Sequence, residues 1–382
     1  MNRFLLVIGM VCCSLMGRGG FDLSPNAEIS ILTCSPGNEI YSIYGHSAIR
    51  LTDMIDGQRV DVVYNYGTFE FDDDFAFKFT MGRLNYMLSR SDWPYFLYEY
   101  TVTGRGIQAQ VLDLSSEEKQ VLIDLLEENY LPENREYLYD FFHDNCSTRI
   151  RDQLQKALGG ELVWHPSDSG RISFRQMVDP YQDVLPWTHF GIDLGLASPS
   201  DERLGPLDDM FLPDYLFGQL ARAELHGRPL VGETVEILPD VVPEEESTWW
   251  TPVVFFWCLF IGVVLALIFG GSHLANALST TFLFLAGFLG LLLFLLWVAT
   301  DHVATVVNYN ILWLWPTHVV MVWIKGKTTE KYWWIHTIII VLCILTQPVI
   351  PQEFPAGSLP LMLLLLTLGL TRTSLGKRLL NL

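Results

Sequence analysis

Cysteine is scarce in this chain, with six in 382 residues. Cys12 and Cys13 sit in the first apolar run, and Cys258 and Cys343 lie in the apolar C-terminal third. Only Cys34 and Cys146 remain for the region between, so a multi-bridge disulfide framework is excluded and a single Cys34–Cys146 bridge is the most this region can form. Positive charge is also short: 24 Lys+Arg stand against 43 Asp+Glu, and between residues 22 and 249 the ratio is 16 to 40. That excludes a basic surface for nucleic acid and implies repulsion from anionic head groups unless the region is tethered. There is no internal repeat, phosphate loop or zinc-ligand spacing. The acidic stretch Glu70 with Asp72–Asp74 matches no calcium loop and reads as a solvated turn. No metal or cofactor is expected.

Apolar runs are plentiful. MNRFLLVIGMVCCSLMG reads as a secretory signal peptide or signal anchor over residues 1–21. Val253 to Gly270, Leu278 to Ala299, Val303 to Ile324 and Trp333 to Ile350 are each long enough to cross about 30 Å of hydrocarbon. A fifth run, Phe354 to Leu370, is interrupted by Pro355, Gly357 and Pro360. Lys325, Lys327 and Lys331 mark one loop as cytoplasmic, and Arg372, Lys377 and Arg378 mark the tail. Five spans satisfy both groups and place residues 22–248 outside, across the membrane from the cytoplasm, with residues 249–382 as the transmembrane part. Trp249 and Trp250 form an interfacial anchor after the linker VPEEES.

The outer region is expected to mix strands and helices. Asn26 to Thr33, Ile40 to Thr52 and Arg59 to Thr68 read as strands, the last two joined by the hairpin signal DMIDG. Ser115 with Glu118 forms a capping box that opens a helix through Asn129. A further helix starts at Cys146 and stops at Gly159-Gly160. Residues 165–245 read as loops and short helices.

Cys146 carries the chemical signal. Asp144 or Asn145 caps its helix, so the thiol sits in the first turn, where free N–H groups and the helix dipole favour thiolate. Cys146, Ile150, Leu154 and Leu158 share one face, which points the sulfur inward. A thiolate nucleophile needs an imidazole and a group to orient it. The strand YSIYGHSAIRL supplies His46, and VVYNYG beside it supplies Asn65 and Tyr66 as candidates for the third member. His143 is a rival base that its place before the cap directs elsewhere. Cysteine on a helix start against histidine on a sheet is the papain arrangement, circularly permuted because His46 comes first.

The segments LTCSPGNEIYSIYGHSAIRL, YNYGTFEF and FFHDNCSTRIRD resemble the Lnb N-terminal periplasmic domain, and TDHVATVVNYNILWLWP is similar to the membrane part of that family. The resemblance runs from about Ile29 to Arg372. It implies an α+β fold, with a circularly permuted papain-like periplasmic domain followed by an all-α transmembrane bundle of about five helices in a bacterial inner membrane. It also implies a lipoprotein N-acyltransferase with Cys146 and His46 as nucleophile and base. The acyl donor would be a membrane phospholipid and the acceptor a diacylglyceryl lipoprotein, with a cysteine thioester between them and no nucleotide. The Cys146 N–H, with Tyr44 or Asn145, would hold the oxyanion. Asp301 and His302 at the outer start of the third span, with Asn308 and Asn310 one to two turns deeper, either position lipid head groups or pack between helices; His318, deeper still, would pack. A cell-wall cysteine peptidase or amidase, and a non-catalytic assembly factor with a Cys34–Cys146 disulfide, are the competing readings.

Overall fold

A computed structural model describes residues 21–166, 168–242 and 249–379; the signal segment and most of the VPEEES linker lie outside the described residues. The outer part is built on β1 (Glu28–Cys34), β2 (His46–Ile55), β3 (Gln58–Thr68), α1 (Phe75–Thr80), β4 (Asn85–Asp92), α2 (Trp93–Thr103), β5 (Ile107–Leu112), α3 (Ser116–Tyr130), β6 (Glu136–Leu138) and α4 (Cys146–Leu158). Then come β7 (Leu162–Val163), α5 (Phe174–Gln182), α6 (Pro186–Gly195), α7 (Pro213–Leu220), β8 (Glu224–Leu225), β9 (Arg228–Pro229) and β10 (Val231–Leu238).

Seven strands form one antiparallel sheet in the order β10-β5-β1-β2-β3-β4-β6. The β2–β3 hairpin turns on Asp56 and Gly57, both at positive φ, as a two-residue Asp-Gly loop requires. β1 is an interior strand, and both its faces are covered. Ile29 and Ile31 pack with Ile49, Leu51, Tyr64 and Tyr66 against Ile150 and Leu154 of α4 and the apolar face of α3. Leu32 and Cys34 pack with Ala48 and Val63 against Trp93, Phe96 and Tyr100 of α2.

Two expectations need correction here. The expected strand at Ile40 begins only at His46, because residues 39–45 close a turn, with Ser42 N–H on Glu39 O at 2.7 Å and Gly45 N–H on Ser42 O at 3.0 Å. Residues 165–245 are not only loops and short helices, since β10 pairs with β5 and forms one edge of the sheet. Its alternation is masked by charge on an edge strand whose central residues are exposed.

The membrane part consists of α8 (Pro252–Phe269), α9 (Gly271–Ala299), α10 (His318–Met321), α11 (Lys327–Thr346), α12 (Ser358–Thr371) and α13 (Ser374–Leu379). Three helices, Pro252–Phe269, Gly271–Ala299 and Thr329–Val349, are long and apolar enough to cross a membrane, and Ser358–Thr371 is a shorter apolar one. The run Val303 to Ile324 is not the continuous helix expected. It is broken into 3₁₀ turns at Val303–Thr305 and Tyr309–Leu312 and the single turn of α10. Val307 takes positive φ, and the Asn308 side chain accepts from Asn310 N–H at 2.9 Å in place of a helical bond.

Irregular backbone at membrane depth is tolerated where protein covers it, and α9 supplies that cover. A Cβ added at Gly290 would lie 1.9 Å from Leu314 O, and one at Gly287 would lie 2.6 Å from His318 Cβ. The broken segment therefore runs along α9 from Asp301 beside the outer domain to Ile324. Ile324, Lys325, Arg372 and Lys377 then meet at one end, in a cavity of about 480 Å³, consistent with a cytoplasmic face.

Candidate active site

Local sequence sets Cys146 at the first residue of α4. Asn145 is the N-cap: its Oδ1 accepts from Ser147 N–H at 2.9 Å and Thr148 N–H at 3.0 Å, while Thr148 Oγ1 accepts from Asn145 N–H at 2.8 Å. The Cys146 N–H lies in the turn that lacks intrahelical acceptors. Ile150, Leu154 and Leu158, the face that Cys146 starts, are buried.

His46 is delivered by the turn before β2. Gly45 has φ of 76°, and a side chain there would meet Cys34 O at 2.8 Å, so glycine alone allows the chain to enter the strand at this point. His46 Nε2 lies 2.9 Å from Asn65 Oδ1 on β3 and donates to it. The Cys146 thiol lies near enough for each group to shift the other's ionisation. Cys146, His46 and Asn65 thus come together at one end of the sheet.

The electrostatics of the pair are reciprocal. Burial opposes ionisation of Cys146, but the His46 charge, its hydrogen bond and a Ser47 backbone N–H aimed at the sulfur outweigh it and lower the thiol pKa. Burial likewise opposes the imidazolium, and attraction to Cys146 with hydrogen bonds to Cys146 and Asn65 raises the His46 pKa. Both shifts move the pair toward thiolate and imidazolium.

Other residues fall differently. The Asn145 amide is fully committed, since its Nδ2 donates to Phe141 O at 2.8 Å and Phe211 O at 2.7 Å, so its side chain cannot serve an oxyanion. Tyr66 points to the opposite sheet face from Asn65 and donates to Asn129 Oδ1 at 2.6 Å. Tyr44 packs its ring on Phe141 and Tyr181, 4.6 and 6.1 Å between centroids. His143 is exposed and faces Asp140, 3.1 Å away. Cys34 is a buried free thiol whose pKa burial pushes up to about 12, and Cys146 is free as well. The Cys34–Cys146 bridge is not formed.

Asp301 pairs with Arg83 at 2.6 Å, and its N–H donates to Met81 O at 2.9 Å. His302 Nε2 donates to Phe79 O at 3.1 Å. Asn308 is buried, with Nδ2 donating to Leu194 O at 2.9 Å and Gly195 O at 3.3 Å. These three residues fasten the outer domain to the membrane part. Asn308 has no amide group left for a lipid, because it caps the orphan carbonyls at the end of α6. His318 is buried, with Nδ1 2.5 Å from the Tyr332 hydroxyl.

Sequence reasoning did not single out Ser47 or Ser147, whose buried hydroxyls lie 3.0 Å apart beside the thiol. Both adjoin the motif residues, and adjacency was their only signal. It also missed Arg175, which is buried and reaches Asp193 and Asp201, each at 2.9 Å. Asp179, His189 and Asp193 present ligand atoms within 4.8 Å of one another. The Asp179 and Asp193 carboxylates beside His189 favour its imidazolium and raise its pKa to about 10.

The Lnb N-terminal periplasmic domain matches residues 22–177, and the Lnb transmembrane domain matches residues 244–378. The chain belongs to the Lnb family. No curated protein matches this Lnb protein, and no solved structure does. The two matches agree with the sheet-rich outer part and the apolar helices after it. The Lnb protein is thus a membrane protein of the cell envelope with a periplasmic domain, of mixed α+β class. Residues 178–243, between the matches, include α6, where Trp187 meets Phe255 and Phe190 meets Phe256 at 5.3 and 5.0 Å.

Proposed function

We propose that this Lnb protein is a lipoprotein N-acyltransferase working through a thioester on Cys146, with a permuted papain-like domain at residues 22–248 as its catalytic part and residues 249–382 as its membrane part. The observation that carries the reading is the alignment of Cys146, His46 and Asn65 in a domain fastened to a membrane bundle. Family membership supports acylation, and the mutual shifts of Cys146 toward thiolate and His46 toward imidazolium support covalent catalysis.

The Cys146 sulfur attacks the ester carbonyl of a phospholipid, forming a C–S bond. The C–O bond breaks, and the leaving lysophospholipid alkoxide takes the proton from His46. The Cys146 N–H is one oxyanion donor, and the Ser47 N–H, aimed at the sulfur, replaces Tyr44 and Asn145 as the second. The α-amino group of a diacylglyceryl-cysteine lipoprotein then attacks. A C–N bond forms, the C–S bond breaks, and His46 takes the amine proton, restoring the pair. Thioester to amide is downhill, so no nucleotide enters.

A peptidase would use the same pair but gives no reason for a domain bonded to a bundle at Arg83, Phe79 and Leu194. The test is mass spectrometry of the protein after incubation with phospholipid alone. One acyl chain on Cys146, released by neutral hydroxylamine and transferred to a diacylated lipoprotein on its addition, is expected. Absence of any acyl-enzyme together with sequential kinetics would refute the proposal.

A further inference from the structure

Residues 69–82 carry an aromatic row outside the core. Phe71, Phe77 and Phe79 are exposed, by 80 %, 65 % and 54 %, and α1 buries none of its residues. Exposed apolar patches of this kind mark an interaction surface. The depth of this one is set by its neighbours. Phe79 O accepts from His302 and Met81 O from Asp301 N–H. A Cβ on Gly82, whose φ is 68°, would meet His302 N at 2.8 Å. These contacts tie the segment to the residues that directly follow α9. The Arg83–Asp301 ion pair, half-exposed directly after α9, is too costly to hold in hydrocarbon, so the outer end of α9 stands among lipid head groups. Val298, Val303 and Val307 are exposed there and continue the apolar surface.

At its other end the row reaches the thiol. Phe79 contacts Phe75 at 5.9 Å, Phe75 contacts Phe69 at 5.5 Å, Phe69 contacts Tyr86 at 5.1 Å, and Tyr86 stacks on Tyr139 at 4.2 Å. Burial raises the Tyr139 hydroxyl pKa, and the nearby Cys146 raises it further. Gly67, two residues before Phe69, lies beside the thiol: a Cβ there would be 3.9 Å from Cys146 Cβ.

We propose that residues 69–82 form a membrane-seated ramp that takes one acyl chain of a phospholipid in the periplasmic leaflet and leads it along the aromatic row to Cys146. Each methylene drawn through water is unfavourable, so a chain leaving the bilayer for the thiol needs apolar cover along the way. The destination rests on the acyl-transfer reading. The lipid contact does not, and the two are tested separately.

For the contact, p-benzoyl-phenylalanine is placed at position 77 of full-length Cys146→Ala protein in phosphatidylethanolamine–phosphatidylglycerol vesicles and irradiated. Position 54, exposed at the far end of the β2–β3 hairpin, is the control. Lipid adduct at 77 about tenfold above 54 is expected for a ring seated in lipid; equal adduct at the two positions would overturn the proposal whether or not the chain is an acyltransferase. For the route, Phe75→Ser with Phe79→Ser should slow Cys146 acylation by long-chain phospholipid about tenfold and leave a water-soluble short-chain thioester within about twofold, since only the long chain uses the row. Unchanged loading from phospholipid, or equal losses on both donors, would overturn the route.

Discussion

Burial by itself pushes the Cys146 thiol toward neutrality, and the His46 charge and hydrogen bonds reverse that. A pH prediction follows. Thiolate is favoured from below the ordinary thiol range, and the imidazolium persists above the ordinary histidine range. Acyl loading, which needs both, should rise as Cys146 deprotonates and fall as His46 loses its proton. Alkylation by iodoacetamide, which needs only thiolate, should keep its upper plateau. His46→Ala should move the alkylation midpoint upward and cut acyl loading by about two or more orders of magnitude, read from alkylation rates against pH; an unmoved midpoint would break the assignment. Cys146→Ala should abolish loading while Cys34→Ala, a buried thiol on β1, retains it, as intact-protein mass after phospholipid incubation would report. Equal loss from both would implicate the fold rather than the nucleophile.

The start of α4 depends on one amide making four hydrogen bonds. Asn145→Ala removes the cap and leaves Phe141 O and Phe211 O without a donor. The cap is worth about 1 kcal/mol and each buried orphan carbonyl about 1–3 kcal/mol. The denaturation midpoint should drop clearly, and cysteine alkylation should slow even where the protein is folded, because the first turn frays. Asn145→Asp keeps both capping contacts yet loses both amide donations, so its midpoint should fall between Asn145→Ala and the parent. An Asn145→Asp midpoint at or below that of Asn145→Ala would contradict this division of roles.

The molecule is one unit because polar groups cross between its halves. Asn308, Asn310 and Gln352 of the membrane part meet the carbonyls of Leu194, Gly195 and Leu196 at the end of α6. Asn308→Ala should therefore lower stability and reduce reaction with phospholipid and with a soluble thioester in parallel. His302→Ala, which removes the ring that donates to Phe79 O in the 69–82 segment, should slow the phospholipid reaction more. The ratio of the two rates for each variant is the measurement; a selective loss in Asn308→Ala would restore a head-group role for that residue.

Local features were legible in the chain itself. The cap and first-turn thiol of α4, the capping box at Ser115 and the Asp-Gly hairpin depend on residues within a few positions of each other. The membrane-length runs needed only composition, and the His46–Asn65 pairing was open to reading because the hairpin aligns adjacent strands. Partners distant in sequence were not legible. That Asn308 is spent on α6 is set across 114 residues, and Asp301 meets Arg83 across 218. The broken segment after α9 needed Gly287 and Gly290 on that neighbouring helix to admit it. The edge strand β10 is assigned by β5, not by its own charged sequence. Sequence determines what a residue can donate, accept or bury, but which partner uses that capacity is decided only when the packed chain brings distant groups within hydrogen-bonding reach.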